Sequence, residues 1–438
     1  MVASDDNDGS LRGIYGSTNS GNTFSLRTST PNILGSNPNG TSDSGQGGYD
    51  LSIAISPTNA NLVYVGGVNM WRSTNGGFSW TAATQWSENN FGLNIPEVHA
   101  DFHELIYQNN TTLFVGCDGG IYKTSNNGSS FTDLSDGLVI SQMYRVSSSQ
   151  TDNKVLVGLQ DNGTKLKSTN GNWTDETGGD GMHCHISPSN SNTMYSTIQR
   201  GDNIYRSTNG GISWASILGT LPGDGAWVTP LDISQSNPNH LVVGYQSVYR
   251  STNQGTSWTA ISSPLSSSDL LYIKIAPSNS SVIYVATSNR LWKTTNAGSS
   301  WTELTSNLLF SNVSISRIAV DPDNSSRVCL TYSGYSSGRK VIRSTNGGST
   351  WTNISGTLPN LPANCLTYHD NGNGSMYLGM DIGVYYRDDS MSDWILYSDG
   401  LPNVEIFDLD VRTSTGKIRA ASYGRGLWEV DAHDFLRL

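Results

Sequence analysis

The side chains best placed to do chemistry here are carboxylates and imidazoles in stretches that break an otherwise regular background. Asp101 lies in Val98-His99-Ala100-Asp101-Phe102-His103, Asp118 in Gly116-Cys117-Asp118-Gly119-Gly120, Asp161 in Gly158-Leu159-Gln160-Asp161-Asn162-Gly163, and Asp180 in Gly179-Asp180-Gly181-Met182-His183-Cys184-His185. Cleaving a glycosidic bond takes two carboxyl groups, about 5 Å or about 6.5 to 9.5 Å apart, one as acid and the other as base or nucleophile. Asp101 and Asp180 rank first for that work. Asp118 and Asp161 rank lower, because Asp381 in Gly379-Met380-Asp381-Ile382-Gly383 recurs at the equivalent place, as a turn-forming Asp would.

Strand alternation puts His99, Asp101 and His103 on one face. With His183 and His185 they are candidate ligand contacts, and imidazole with carboxylate also suits a divalent metal. The spacing matches no strong metal signature, so no cofactor is assigned. The plainer reading is a hydrogen-bonded inner ring that pins strands together. Most of the twelve tryptophans fall at repeating positions expected to be core, whereas Trp86 and Trp227 do not. A flat aromatic ring offers a stacking platform to sugar C–H faces, so both are candidate glycan contacts. Several arginines, such as Arg72, Arg206, Arg250 and Arg343, sit inside the boxes, which argues against an inner-face arginine cluster. No Ser-His-Asp elbow, phosphate-binding Gly loop or redox Cys pair is present.

The elements that must position these residues come from a repeat. Trp71-Arg72-Ser73-Thr74-Asn75-Gly76-Gly77-Phe78-Ser79-Trp80 returns as Tyr15 to Phe24, Tyr122 to Phe131, Tyr205 to Trp214, Tyr249 to Trp258, Trp292 to Trp301 and Ile342 to Trp351, with a shortened copy at Ser168 to Trp173 and a decayed one at Arg387 to Trp394. The pattern is Ser/Thr, any residue, Asn, any residue, Gly, then Ser/Thr and an aromatic. An Asn side chain bonding backbone two residues on, with a Gly at positive φ, closes a tight turn between two strands. The closing aromatics stand 41 to 56 residues apart, the length of a four-stranded propeller blade.

The unit resembles the Asp-box, or BNR, repeat, with Asn in the usual Asp position in eight of nine copies. That family includes sialidases, xyloglucanase-type glycoside hydrolases and sortilin-type receptors, and the resemblance implies an all-β fold. The expected architecture is a β-propeller of about nine four-stranded blades (eight to ten), with the box turn joining strands C and D. In the blade ending at Trp301 the strands read Leu271 to Ala276, Val282 to Thr287, Arg290 to Thr294 and Ser300 to Leu304. A single ring over residues 1–438 would close by pairing the N- and C-terminal strands. The ends supply one strand too many for that, which leaves open ten blades or part of a two-propeller protein.

In a propeller the A–B and C–D turns share one face, and the D–A and B–C loops share the other. All the candidate residues above fall in or beside the latter, and the long D–A connections from Pro31 to Tyr49 and from Ala82 to Glu97 lie there too. These motifs, with Tyr423-Gly424-Arg425-Gly426-Leu427-Trp428, also resemble secreted bacterial glycoside-hydrolase-like propellers. The Arg-Thr-Asp-x-Gly-Gly segment associated with the xyloglucanase base is absent.

Composition narrows the partners. A formal charge of −11 with 25 Lys and Arg argues against nucleic acid, which needs a concentrated basic face. There is no 18-residue apolar run and hence no membrane span. A surface rich in Ser, Thr, Asn and Gly suits a secreted or cell-surface monomer that meets a polysaccharide or glycan, or alternatively an adhesion module that binds a protein surface. Four cysteines are too few for a disulfide framework. The pairing of Cys329 with Cys365, on neighbouring blades, is left open.

Overall fold

The structure, a computed structural model, describes residues 1–5 and 7–433. Its described residues form ten antiparallel sheets, eight of four strands and two of three, each built from strands consecutive in the chain. The blade ending at Trp301 has strands Tyr272–Ala276, Asn279–Ala286, Leu291–Thr294 and Thr302–Glu303, close to the ranges read from the repeat. The fold is that of an Asp-box β-propeller.

The box turn works differently in detail from the expectation. Asn75 Oδ1 accepts from the Ser79 N–H at 2.9 Å, four residues on rather than two; Asn75 Nδ2 donates to Ser79 Oγ at 2.9 Å, and Ser73 Oγ accepts from the Gly77 N–H at 2.8 Å. Gly76 and Gly77 take φ of 72° and 95°, a region open to residues without a Cβ. The same three bonds recur at Asn126, Asn209, Asn253, Asn296 and Asn346. Replacing Asn296 with Ala should therefore destabilise by about 1 to 2 kcal/mol, as the loss of a helix cap does. Asp, which keeps the acceptor oxygen, should lose about half as much; denaturant midpoints of the two variants beside the parent check this.

The closing aromatics plug the seams between sheets. Trp258, Trp301 and Trp394 donate from Nε1 to the carbonyls of Ile217, Ile261 and Ile354 on the preceding sheet, at 2.8, 2.8 and 2.7 Å. Two closing aromatics are exposed rather than core, Trp173 of the shortened box at 44% and Phe24 of the first box at 49%. All four cysteines are free, Cys329 and Cys365 included.

The chain divides into two compact units, Met1–Leu138 with three sheets and Val139–Leu438 with seven. Repeat spacing alone led to one ring over 1–438, with two propellers as the alternative. In the second unit the inner strands are Met143–Ser148, Gly181–Ser187, Leu231–Ile233, Tyr272–Ala276, Ile315–Val320, Ala363–Tyr368 and Ile406–Arg412. Each packs on the next, and the last packs on the first, so this unit is a seven-bladed ring. Side-chain carboxylates stitch the closing seam: Asp408 and Asp410 accept from the N–H groups of Val146 and Ser148, at 3.1 and 2.6 Å. Among the described residues the expected pairing of N- and C-terminal strands is not seen. Val2–Ser4 pairs with Leu11–Gly16 in its own three-stranded sheet, and Ile406–Arg412 begins another. Apolar clusters lie between neighbouring sheets, so each blade's core is completed by the next blade.

Candidate functional site

The inner strands of the second unit carry a pattern hidden in the sequence. Arg145-Val146-Ser147, His185-Ile186-Ser187, Asp232-Ile233-Ser234, Lys274-Ile275-Ala276, Arg317-Ile318-Ala319 and Asp408-Leu409-Asp410 each place a titratable residue before an aliphatic one. Alternation buries the aliphatic residue between sheets and turns the titratable one to the axis. The register shifts at Met143/Arg145, Gly181/Cys184, Ile315/Arg317, Ala363/Cys365 and Ile406/Asp408. Such bulges re-aim the side chains that follow them.

A cavity of about 490 Å³ runs along the axis, lined by Arg145, His183, His185, Asp232, Lys274 and Asp408 among others. Most of its charge is paired. Lys274 meets Asp232 at 2.9 Å, and Arg317 meets Asp408 at 3.1 Å. Burial pushes both imidazoles down, and their rings stack with centroids 5.9 Å apart. His185 Nε2 lies 2.8 Å from the Leu231 carbonyl. Burial also pushes Asp410 up to about 6.

A second cavity of about 300 Å³ shares Arg145 and Arg317 with the first, and its other walls are Tyr144, Trp227, Tyr272, Phe407, Asn364 and Ser316 among others. This is the mouth on the D–A side. Trp227 is held by its edge, Nε1 donating to Tyr144 Oη at 3.0 Å, and is 47% exposed. Phe407 stacks on Tyr423 with centroids 4.6 Å apart, and Tyr144 meets both rings edge-on or tilted. Tyr144 in turn donates to Gln160.

Asp180 stands beside that mouth, and its bonds are those of a scaffold. Its Oδ1 accepts from the Asp161 N–H at 2.6 Å and from Gln160 Nε2 at 3.1 Å, which ties the entry of one inner strand to the loop of the preceding blade. Burial, followed by the Asp161 carboxylate, holds its pKa above the usual range; the Asp161 N–H acts against them.

Asp101 and Asp118 belong to the first unit, with His99, His103 and Trp86. Asp101 has φ of 68°, and the strand starts only at Phe102. Alternation therefore does not run back through His99, and His99, Asp101 and His103 do not share a strand face. The Asp101 carboxylate instead accepts from Gln46 Nε2 at 2.7 Å. Asp118 meets His103 Nε2 and Tyr49 Oη, both at 2.7 Å, and Tyr49 packs edge-on against His103. Behind them lies Asp50, fully buried, with a pKa pushed up to about 8 by burial and then by the charge and hydrogen bond of Asp101. His99 packs under Gly119, where a Cβ would come within 2.3 Å of its own. Trp86 is half-buried: its Nε1 donates to the Ser36 carbonyl at 3.0 Å and its ring meets Phe91, so it plugs a loop. Among the described residues no group of three His, Cys, Asp or Glu side chains is arranged to hold a metal ion. Asp101 and Asp180, ranked together from sequence, fall in different units, each with its own carboxylate neighbour.

Arg145, Arg317, Tyr144, Phe407 and Asp50 were missed from sequence. The first four carry no motif, but aligning inner strands on their aliphatic residue exposes the two arginines, which corrects the expectation that arginines avoid the inner face. No helix among the described residues is long and apolar enough to cross a membrane.

A family model described as sortilin, neurotensin receptor 3, matches residues 246–386, inside the second unit. No curated protein matches. Among solved structures, YCF48 from Cyanidioschyzon merolae is 12% identical over 67% of this chain and 96% of its own, with a TM-score of 0.51. YCF48 bound to D1 peptide is 13% identical over 67% and 94%, at 0.52. A GH74 enzyme of Niastella koreensis is 17% identical over 97% and 80%, at 0.41. At these identities the YCF48 likeness bears on the fold alone, which is the propeller already described.

Proposed function

We propose that this Asp-box propeller is an extracellular glycan-binding protein that holds a polysaccharide at the D–A mouth of its seven-bladed unit. The observation that carries this reading is Trp227, clamped by its indole N–H to Tyr144 with nearly half its surface open, beside the Tyr144, Phe407 and Tyr423 rings. A rigid aromatic face at a cavity of about 300 Å³ suits a sugar ring, and the volume lies at the lower end for ligand pockets. Ser316, Ser333 and Asn364 supply hydroxyl and amide groups for hydrogen bonds.

Binding is favoured over hydrolysis by the state of the carboxylates. An acid catalyst must be both protonated near neutral pH and able to touch the substrate. Asp50 is held protonated but is buried, while Asp101 and Asp118 are engaged by Gln46, His103 and Tyr49. Asp180 is spent on the Asp161 loop.

Pull-down and calorimetry on a panel of plant, algal and microbial polysaccharides, with reducing-end release measured alongside, test the reading. Trp227→Ala should weaken binding by about five- to thirtyfold, a stacked ring contributing about 1 to 2 kcal/mol, with an unchanged unfolding midpoint. Binding that ignores Trp227 would refute the site. Release of reducing ends abolished by Asp101→Asn would replace binding with hydrolysis. Capture of peptides alone would make it a protein-interaction module, the alternative to which the peptide-bound YCF48 structure corresponds.

A further inference from the structure

Arg145 is a buried charge in the ring without a carboxylate partner among the described residues. It is 7% exposed, its Nη1 donates to the Tyr144 carbonyl at 2.6 Å, and among the described residues its Nε has no acceptor and no carboxylate lies within ion-pairing distance. Arg317, which shares both cavities with it, donates from Nη2 to the Phe407 carbonyl and to Asp408 while its own Nε is also unpaired. Two guanidiniums thus stand together at the floor of the mouth with a carboxylate paired to only one of them, and a buried charge without a partner is costly. Burial and the neighbouring Arg317 push Arg145 down to about 10, which leaves it charged at neutral pH.

The rim has the opposite sign. Asp161 and Asp180 stand by the Tyr144–Gln160 bond, and Asp381 accepts from Asn364 at 2.9 Å. A positive floor inside a negative rim, on a chain of formal charge −11, discriminates against a polyanion while accommodating one inserted anion. The planar forks of two arginines match a carboxylate.

We infer that the mouth of the seven-bladed unit recognises a single carboxylate carried on an otherwise neutral glycan, a uronate branch or terminus that enters past Trp227 and is received by Arg145 and Arg317. This deepens the glycan-binding reading and rests on it.

The test is calorimetric, on the full chain. The probes are neutral oligosaccharides of xylan, glucan and mannan type bearing one glucuronate, the same compounds with the carboxyl reduced to the alcohol, polygalacturonate, and a peptide with a free C-terminus. The expected result is that at least one glucuronate-bearing probe binds tenfold or more tightly than its reduced counterpart, and that Arg145→Gln brings the ratio within about twofold while the reduced probe still binds. Arg145→Lys, which keeps the charge but not the fork, should fall between them, and serves should the Gln variant not fold. Equal binding of acidic and reduced probes would overturn the inference and leave the glycan reading standing; so would tightest binding of polygalacturonate. Binding of the peptide with none of the sugars would overturn both.

Discussion

Asp408→Ala is expected to destabilise the seven-bladed unit by about 3 to 5 kcal/mol, the range for removing one partner of a buried ion pair. Asp408 does two jobs at the closing seam: one oxygen accepts from the Val146 N–H at 3.1 Å, and the other meets Arg317 at 3.1 Å. Without it Arg317 and Arg145 face each other with no carboxylate between them, and the first and last inner strands lose a bond. Asp408→Asn keeps an acceptor for Val146 and should lose less. The double variant Asp408→Leu with Arg317→Met removes charge and partner together and should recover much of the deficit. Urea unfolding of all three beside the parent measures this. A loss in Asp408→Ala below about 1 kcal/mol would mean that the carboxylate is solvated and the seam is held by packing alone.

That seam also marks how far the sequence could be read. The box residues are local: Ser73, Asn75, Gly77 and Ser79 bond one another within a single turn, so their spacing carries the whole interaction. Blade lengths follow from the same period. Ring closure is not local. Asp408 meets Val146 from 262 positions away, and the repeat turns themselves carry no mark of where one unit ends and the next begins. The decisive site residues hid for a related reason. Met143-Tyr144-Arg145 reads as an ordinary strand, and only the bulge after Met143 turns Arg145 to the axis. Asp101 was singled out by assuming unbroken alternation, which a φ of 68° interrupts. Trp86 and Trp227 looked alike from sequence; one has its ring against Phe91 and the other faces open space. Neighbours distant in the chain made that difference.

The same distance from any motif applies to Asp50, whose titration should dominate the pH response of the first unit. Its pKa in the fold, about 8, lies well above the 3.9 or so of an exposed Asp, because burial penalises the carboxylate and Asp101 lies against it. A raised pKa means that the folded form holds a proton the unfolded chain has released. The associated stability is therefore fully present below about pH 4 and is lost as pH rises through about 8. Between pH 5 and pH 9 the loss should be on the order of 3 kcal/mol, less than the full linkage value because Asp101 shares the proton. Asp50→Asn is neutral at every pH and should flatten that slope, so that at pH 9 the variant is the more stable protein while near pH 4 the two coincide. Asp101→Asn removes only the second cause and should move the transition down in pH without abolishing it, since burial is the larger one. Thermal unfolding followed from pH 4 to pH 10 distinguishes the three chains. A slope unchanged in Asp50→Asn would mean that Asp50 is ionised in the fold, and a cation rather than a proton would then have to answer its charge and that of Asp101.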